Sequence, residues 1–102
     1  MIHRTYLEDT HGTVCVYAYS KTAKTMYISS LNVDKDYRRQ GIGSKLMQRA
    51  ENHARSNNAT TVMLLTEEHT IAHDMYTKRG YTYVCEAKDY KSSSLIWLTK
   101  IL

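Results

Sequence analysis

Polar and apolar residues alternate along the first third of the chain. Residues 13–19 repeat with a period of two, and residues 27–33 carry the β-branched and aromatic side chains typical of a buried strand. Residues 1–8 alternate more loosely. Turn-forming residues at 9–12 and 21–24 separate the three stretches. The pattern predicts three consecutive strands that form an antiparallel meander.

The period changes to 3.6 residues after Gly41, which predicts an amphipathic helix from about Ile42 to residues 56–58. Its apolar face is formed by Ile42, Leu46, Met47, Ala50 and Ala54. The apolar run at residues 60–65 then predicts a short strand buried on both faces. A strand, a helix and a strand in this order imply parallel pairing through a right-handed crossover.

The last third of the chain predicts one more helix and two strands. Ile71, Ala72, Met75 and Tyr76 mark a short helix, which Gly80 ends as a left-handed cap. Strands follow at residues 81–85 and 95–102, with a polar turn at 86–93 between them. The final strand is apolar on both sides except at Thr99 and Lys100, which predicts cover on both faces.

The element order is therefore β-β-β-α-β-α-β-β. We expect one domain over residues 1–102, of the α/β (α+β) class, with a mixed sheet and two main helices. Hydrophobic residues make up 42% and charged residues 24%, the mix of an ordinary globular protein. No apolar run reaches the roughly 20 residues that span a bilayer, and the first residues lack a signal core, so we expect a cytoplasmic protein without a membrane partner.

Charge and candidate metal-binding residues narrow the range of possible functions only slightly. A formal net charge of +4 favours anionic partners, but the basic residues are scattered, so nucleic acid is possible without being favoured. His69 and His73 are four residues apart, yet no third ligand is evident and we expect no metal. Cys15 and Cys85 lie inside predicted strands and are interpreted as small buried residues.

The loop at residues 38–43 reads R-x-x-G-x-G and joins a predicted strand to a predicted helix. The first backbone N–H groups of a helix have no partner within it, and the helix dipole there favours an anion. Glycines let a phosphate approach the backbone closely. The string is neither a nucleotide P-loop nor a dinucleotide fingerprint.

Together with Leu31-Asn32-Val33 before it, this loop resembles the pyrophosphate loop of the GNAT superfamily of N-acetyltransferases, which cradles acetyl-coenzyme A. A second string, H-x-x-A-x-x-M-Y-x-x-x-G-Y from His69 to Tyr81, is similar to the family's N-x-x-A-x-x-L-Y-x-x-x-G-F/Y. The resemblance runs from about Gly12 to Leu102. Two features depart from the family: His69 replaces an Asn, and no strand and helices precede the meander. We therefore expect an acceptor site that is open or is completed by a second subunit.

The resemblance implies which residues bind acetyl-coenzyme A. Backbone groups of 31–33 would pair with the pantetheine arm, and the N–H groups of 39–44 would hold the pyrophosphate, with two arginines adding charge. The predicted cofactor-binding residues are Leu31, Asn32, Val33, Arg38, Arg39, Gln40, Gly41, Ile42, Gly43 and Ser44. Gly41 and Gly43 are expected to be needed because a Cβ would obstruct the phosphate or the loop.

Tyr76 is the predicted general acid, because a phenol has a pKa near 10 and can protonate a thiolate whose pKa is about 8.5. Packing of Tyr76 in the core is the alternative. The strand at 27–33 has no carboxylate to serve as the base, so Glu67, Glu68, His69 or a water chain would take the proton of the amine.

The resemblance thus predicts an acetyl-coenzyme A-dependent N-acetyltransferase that acts on a primary amine of a protein, a small molecule or an aminoacyl-tRNA. The alternatives are a non-catalytic module that binds coenzyme A or a protein partner, and a basic protein that binds nucleic acid. We also expect a homodimer, because a short chain of this fold would leave apolar surface uncovered. Trp97 is the candidate anchor at its interface.

Overall fold

The computed structural model of the chain describes residues 2–87 and 94–102. Residues 88–93 of the predicted polar turn lie outside the described residues. The strands are β1 (His3–Asp9), β2 (Gly12–Ala18), β3 (Thr25–Val33), β4 (Thr61–Glu67), β5 (Thr82–Glu86) and β6 (Leu95–Ile101), and the helices are α1 (Ile42–Ser56) and α2 (Ile71–Lys78). A single 3-10 turn, Lys35–Tyr37, follows β3. The predicted element order is confirmed.

The six strands form one mixed sheet in the order β1-β2-β3-β4-β6-β5. β1, β2 and β3 pair antiparallel as the predicted meander. β3 and β4 pair parallel, as the crossover through α1 requires. β6 lies between β4 and β5 and pairs antiparallel with both. The predicted mixed sheet with two main helices is therefore confirmed.

Both helices pack on the same face of the sheet and enclose one hydrophobic core. The fully enclosed core residues include Val14 and Val16 on β2, Leu46 and Met47 on α1, and Leu98 on β6. α2 contributes Tyr76 to the same cluster. Among the described residues, neither helix is long and apolar enough to cross a membrane.

The opposite face of the sheet is open and carries an aromatic cluster. The rings of Tyr17 and Tyr27 stack at 5.3 Å, and Trp97 meets Tyr27 edge-on at 6.1 Å. The prediction that β4 and β6 are covered on both faces is wrong. Met63 is only partly buried, and Ile101 is 82% exposed. The physical reason is that both helices occupy one face, so the other face has no helix cover in the described part of the chain.

The two cysteines have different environments. Cys15 on β2 is buried, as predicted, but Cys85 is exposed. The prediction for Cys85 is wrong because β5 is an outer strand whose residues are all exposed. Its apolar sequence resembles that of an inner strand, and only its place in the sheet distinguishes the two.

Two glycines fix how the helices meet the sheet. Gly80 has a φ of 96°, which confirms the left-handed end of α2, and the N–H of Tyr81 donates to the carbonyl of Tyr76 at 3.0 Å. A Cβ on Gly12 would lie 2.7 Å from the Asn32 carbonyl oxygen and 2.9 Å from Leu46 Cδ1. Gly12 therefore allows α1 to approach the end of β3, where the candidate site lies.

Candidate functional site

β3 and β4 pair over only part of their length. Their register runs from Thr25 opposite Thr61 to Ile28 opposite Leu64, and no pair follows in the described residues. Ser30, with a φ of 54°, lies at an irregularity in the register between β2 and β3 just beyond this point. β2 still holds the other edge of β3 as far as Val33. The backbone edge of β3 that faces β4 is thus available to an extended ligand between the two strands.

The chain leaves β3 through a tightly held loop. The N–H of Asp34 donates to the carbonyl of His11 at 2.7 Å. Arg38 donates from Nε to the carbonyl of Val33 at 3.2 Å, which holds its guanidinium beside the end of β3. Arg39 and Gly41 have φ values of 66° and 81°. These left-handed residues reverse the chain so that it enters α1 directly.

The first turn of α1 presents unpaired backbone donors. Gly41 precedes the helix without a side-chain cap, and the turn contains no acidic residue. The first hydrogen bond of the helix runs from the N–H of Lys45 to the Gly41 carbonyl at 3.0 Å. Within the described part of the chain, the N–H groups of Ile42, Gly43 and Ser44 therefore keep their donor capacity. Together with the helix dipole they suit an anion.

A cavity of about 480 Å³ opens at this point. It is lined by Leu31, Asn32, Val33, Tyr37, Arg38, Arg39, Gly41, Ile42, Gly43, Ser44, Ile71, Ala72 and Met75. Every predicted cofactor-binding residue lies on its wall except Gln40, which is exposed in the loop. Tyr37, which was not predicted to bind the cofactor, also lies on this wall, and its ring stacks on His11 with centroids 3.4 Å apart. No local pattern indicates that contact.

The two loop glycines differ in why they are glycine. Gly41 has the left-handed φ that side chains resist, although a Cβ there would meet no atom within 4 Å. Gly43 lacks a left-handed φ, and its Cβ would lie 3.8 Å from Val33 Cγ2, an ordinary contact. Gly41 is therefore required by the loop itself. Gly43 would be required only by a ligand that approaches the helix.

Tyr76, the predicted general acid, lies next to the cavity rather than on its wall. It is 7% exposed, and its ring centroid is 5.8 Å from that of Tyr81. Burial raises the pKa of the Tyr76 phenol, so the hydroxyl keeps its proton at neutral pH. Met75, one residue earlier on α2, does line the cavity. Tyr76 is thus a core residue, as the alternative prediction had it, while its catalytic role stays a prediction.

The predicted bases lie apart from the cavity. Glu67 ends β4 and is exposed, and the neighbouring His69 side chain is 88% exposed. The backbone N–H of His69 donates to His73 Nδ1 at 3.1 Å, and that of Glu68 to the Ser94 carbonyl at 2.8 Å. None of these residues lines either cavity among the described residues. The structure therefore does not bring Glu67 or His69 to the wall of the cavity at the start of α1.

A charged cluster that was not predicted surrounds Glu51 on the buried face of α1. Glu51 is 1% exposed and accepts hydrogen bonds from Lys100 Nζ at 2.9 Å and from the Tyr81 hydroxyl at 2.9 Å. Arg79 meets both carboxylate oxygens, from Nη2 at 3.1 Å and from Nε at 3.4 Å. Burial acts to raise the pKa of Glu51, but the hydrogen bonds from Lys100, Arg79 and Tyr81 outweigh it and hold that pKa below its ordinary value.

Arg79 connects this cluster to the first turn of α1. Its Nη1 donates to Ser44 Oγ at 3.0 Å, and its Nη2 also contacts Gln48 Oε1 at 3.1 Å. A second cavity of about 630 Å³ adjoins the first and shares Ser44, Ile71 and Met75 with it. Its other lining residues are Gln48, Asp74, Lys78, Arg79 and Lys100. The hint in the sequence was Glu51 itself, a carboxylate among the apolar positions of α1.

Comparison with known proteins places these features in a family. The model of the Acetyltransferase (GNAT) family matches residues 6–81, which include β2, β3, the loop, α1, β4 and α2. No curated protein matches the sequence significantly.

Three solved structures illustrate the structural likeness. Ard1 from Thermoplasma volcanium is 27% identical over 90% of this chain and 63% of its own, with a TM-score of 0.77. A GNAT family acetyltransferase from Elizabethkingia anophelis with acetyl-CoA bound is 18% identical over 96% of this chain and 72% of its own, with a TM-score of 0.76. PaiA N-acetyltransferase from Thermoplasma acidophilum, in complex with coenzyme A, is 16% identical over 90% of this chain and 54% of its own, with a TM-score of 0.75. The chain thus spans somewhat less than two thirds of Ard1 and about half of PaiA.

Proposed function

The chain belongs to the GNAT family of acetyltransferases, and on that premise we propose that it transfers an acetyl group from acetyl-coenzyme A to a primary amine. In this reaction a bond forms between the amine nitrogen and the carbonyl carbon, and the bond from that carbon to sulfur breaks. The amine loses a proton and the departing thiolate gains one. The acceptor amine belongs to an unidentified protein, small molecule or aminoacyl-tRNA.

One observation carries the proposal: the cavity at the start of α1 gathers the residues that the sequence selected for the cofactor, with the exception of Gln40. These residues come from the end of β3, the loop and the first turn of α1. They offer unpaired N–H groups, an uncapped helix and the charge of Arg38 and Arg39. A diphosphate needs this combination of donors and positive charge.

Each part of the site has a separate task in the proposed reaction. The N–H groups of Ile42, Gly43 and Ser44 hold the pyrophosphate. The free edge of β3 at residues 31–33 pairs with the extended arm, and an N–H of this edge stabilises the thioester oxygen as it gains charge. Holding acetyl-coenzyme A along β3 fixes the position of its thioester carbonyl. This reduces the entropy cost of bringing the carbonyl and the acceptor amine together.

Tyr76 serves as the proton donor to the departing sulfur in this proposal. Burial raises the pKa of the Tyr76 phenol and keeps it protonated, and Ala72 and Met75 of the same helix line the cavity. We expect Tyr76→Phe to lower kcat by about 10²–10⁴-fold with little change in coenzyme A affinity or stability, because the ring is retained. Steady-state kinetics and thermal melts measure these quantities. A kcat within a few-fold of the parent would assign Tyr76 to packing alone.

The experiment that tests the function follows the acetyl group. Radiolabelled acetyl-coenzyme A is incubated with the protein and with separate pools of polyamines, peptides and aminoacyl-tRNA, while the released thiol is measured. Thiol release that requires one pool, together with label in that pool, supports acyl transfer and identifies the acceptor class. Binding of acetyl-coenzyme A without label transfer to any pool would contradict the proposed acetyl transfer.

A second candidate function has one observation in its favour. None of the predicted bases Glu67, Glu68 and His69 lines either cavity in the described part of the chain. A module that binds coenzyme A without turnover would need no base. It would show a thermal shift with coenzyme A but no thiol release above background, which separates it from the enzyme.

We further propose that two copies of the chain pair, with Trp97 near the contact. Trp97 lies on the open face of the sheet with Tyr27, away from the helix-covered core. Partly exposed aromatic side chains on such a face suit an interface between copies. Analytical ultracentrifugation at micromolar concentration is expected to give the mass of two chains. A single-chain mass would contradict the dimer and would leave the acetyl-transfer proposal unaffected.

A further inference from the structure

We propose that Arg79 is a positioning residue for cofactor binding, acting through Ser44 and held in place by the buried carboxylate of Glu51. This inference rests on the proposed function, since it assigns Ser44 a ligand phosphate. The three residues come from the end of α2, the first turn of α1 and the middle of α1. Their hydrogen bonds form one continuous connection from the core to the cavity wall.

The guanidinium of Arg79 is fixed by its surroundings. The Glu51 carboxylate accepts hydrogen bonds from Arg79 Nε at 3.4 Å and from Arg79 Nη2 at 3.1 Å, which orients the guanidinium plane. The Arg79 side chain is 14% exposed and that of Glu51 is 1% exposed, so water competes little for these bonds. The remaining nitrogen, Nη1, then faces Ser44 Oγ at 3.0 Å.

This contact decides how the Ser44 hydroxyl can act. A guanidinium has donors and no acceptor, so Ser44 Oγ must accept the bond from Arg79. The hydroxyl hydrogen of Ser44 is left to donate elsewhere. Ser44 lines the cavity beside Gly43, where the unpaired N–H groups also converge. Arg79 therefore sets Ser44 as a donor, which is the polarity that a phosphate oxygen requires.

Lysine cannot replace Arg79 in this arrangement. A single ammonium cannot span the two oxygens of Glu51, Gln48 and Ser44, which the planar fork of Arg79 reaches together. Lys100 already occupies one oxygen of Glu51, at 2.9 Å. Arg79→Lys would thus keep the charge of the cluster and lose the orientation of Ser44.

The test is a double-mutant cycle on ligand affinity. Coenzyme A binding is measured by calorimetry for the parent, Ser44→Ala, Arg79→Lys and the double variant. We expect each single change to weaken binding by about tenfold, as for the loss of one hydrogen bond to a charged group. The double variant is expected to bind as weakly as Ser44→Ala alone. Arg49→Lys is the matched control, because Arg49 lies on α1 with Ser44 and donates to the Glu8 carbonyl instead.

A second ligand distinguishes a direct contact from an indirect one. Dephospho-coenzyme A keeps the pyrophosphate and lacks the 3′-phosphate. If Arg79 acts through Ser44, its substitution weakens both ligands equally. A loss seen with coenzyme A and absent with dephospho-coenzyme A would place Arg79 on the 3′-phosphate and overturn the inference. Additive losses in the double variant would also overturn it. If the folded parent bound neither ligand, the proposed function itself would fail.

Discussion

The first turn and the middle of α1 differ in how their polar groups are satisfied. At the first turn, the N–H groups of Gly43 and its neighbours face a cavity and lack partners in the described part of the chain. Two to three turns later, Glu51 is almost fully enclosed and accepts bonds from Arg79, Lys100 and Tyr81. The donors of the first turn are therefore open to a ligand, whereas the polar groups around Glu51 are satisfied by the protein itself.

This difference separates the substitutions that should affect stability from those that should affect binding. A buried charge must be satisfied by the protein itself, so changing it costs folding free energy. Exposed donors at a helix start are satisfied by water in the free protein, so blocking their surface costs affinity. Ser44 stands between the two regions because Arg79 contacts it from the buried cluster.

The largest expected effect on stability is that of Glu51→Gln. The amide of Gln would turn an N–H donor toward the donors of Arg79 and Tyr81. It would also leave the charges of Arg79 and Lys100 without a carboxylate. Breaking a buried ion pair in this way costs about 3–5 kcal/mol of unfolding free energy. Urea denaturation measures it. The control Glu86→Gln changes an exposed carboxylate on β5 and should shift the unfolding free energy by less than about 0.5 kcal/mol.

The contribution of Glu51 should also depend on pH. The carboxyl pKa in the folded protein lies below the ordinary value of 4.5. Its stabilisation is therefore fully present above pH 4.5 and is lost as the pH falls through the folded-state value. The difference in unfolding free energy between the parent and Glu51→Gln should shrink on acidification below that point. A difference that stays constant down to pH 2 would contradict the assigned contacts.

Smaller effects are expected at the two loop glycines. Gly41→Ala places a Cβ at a φ of 81° and should cost about 1–2 kcal/mol of unfolding free energy. Gly43→Ala meets only an ordinary contact at 3.8 Å and should leave stability unchanged or raise it by up to about 1 kcal/mol, because alanine favours helices. Thermal and urea unfolding of both variants decide this. Equal losses at the two positions would mean that the loop requires both glycines.

The sequence predicted the helices, the sheet and the loop between β3 and α1 because their signals are local. Hydrophobic periods identify α1 and β2, and the glycine string follows a strand directly. The requirement at Gly12 was not predictable, since the atoms that exclude its Cβ belong to Asn32 and Leu46. Burial of β4 and β6 was predicted wrongly, because an apolar pattern does not reveal which face the helices cover.

The cluster around Glu51 was missed for a related reason. Its partners Arg79 and Lys100 are 28 and 49 residues away in the sequence, so no spacing rule connects them. A carboxylate on the apolar face of α1 did signal a buried charge that needs a partner. That signal predicts the existence of a partner without identifying it.

Calorimetric titration of Gly43→Glu tests whether the first turn of α1 binds the pyrophosphate of acetyl-coenzyme A, as we propose. The control Asn52→Glu adds the same charge to an exposed position of α1, about 14 Å along the helix axis from Gly43. At that separation the charge is largely screened at ordinary ionic strength. We expect the parent and Asn52→Glu to bind acetyl-coenzyme A alike, while folded Gly43→Glu shows no binding heat. Equal affinity of Gly43→Glu and the parent would contradict this proposal.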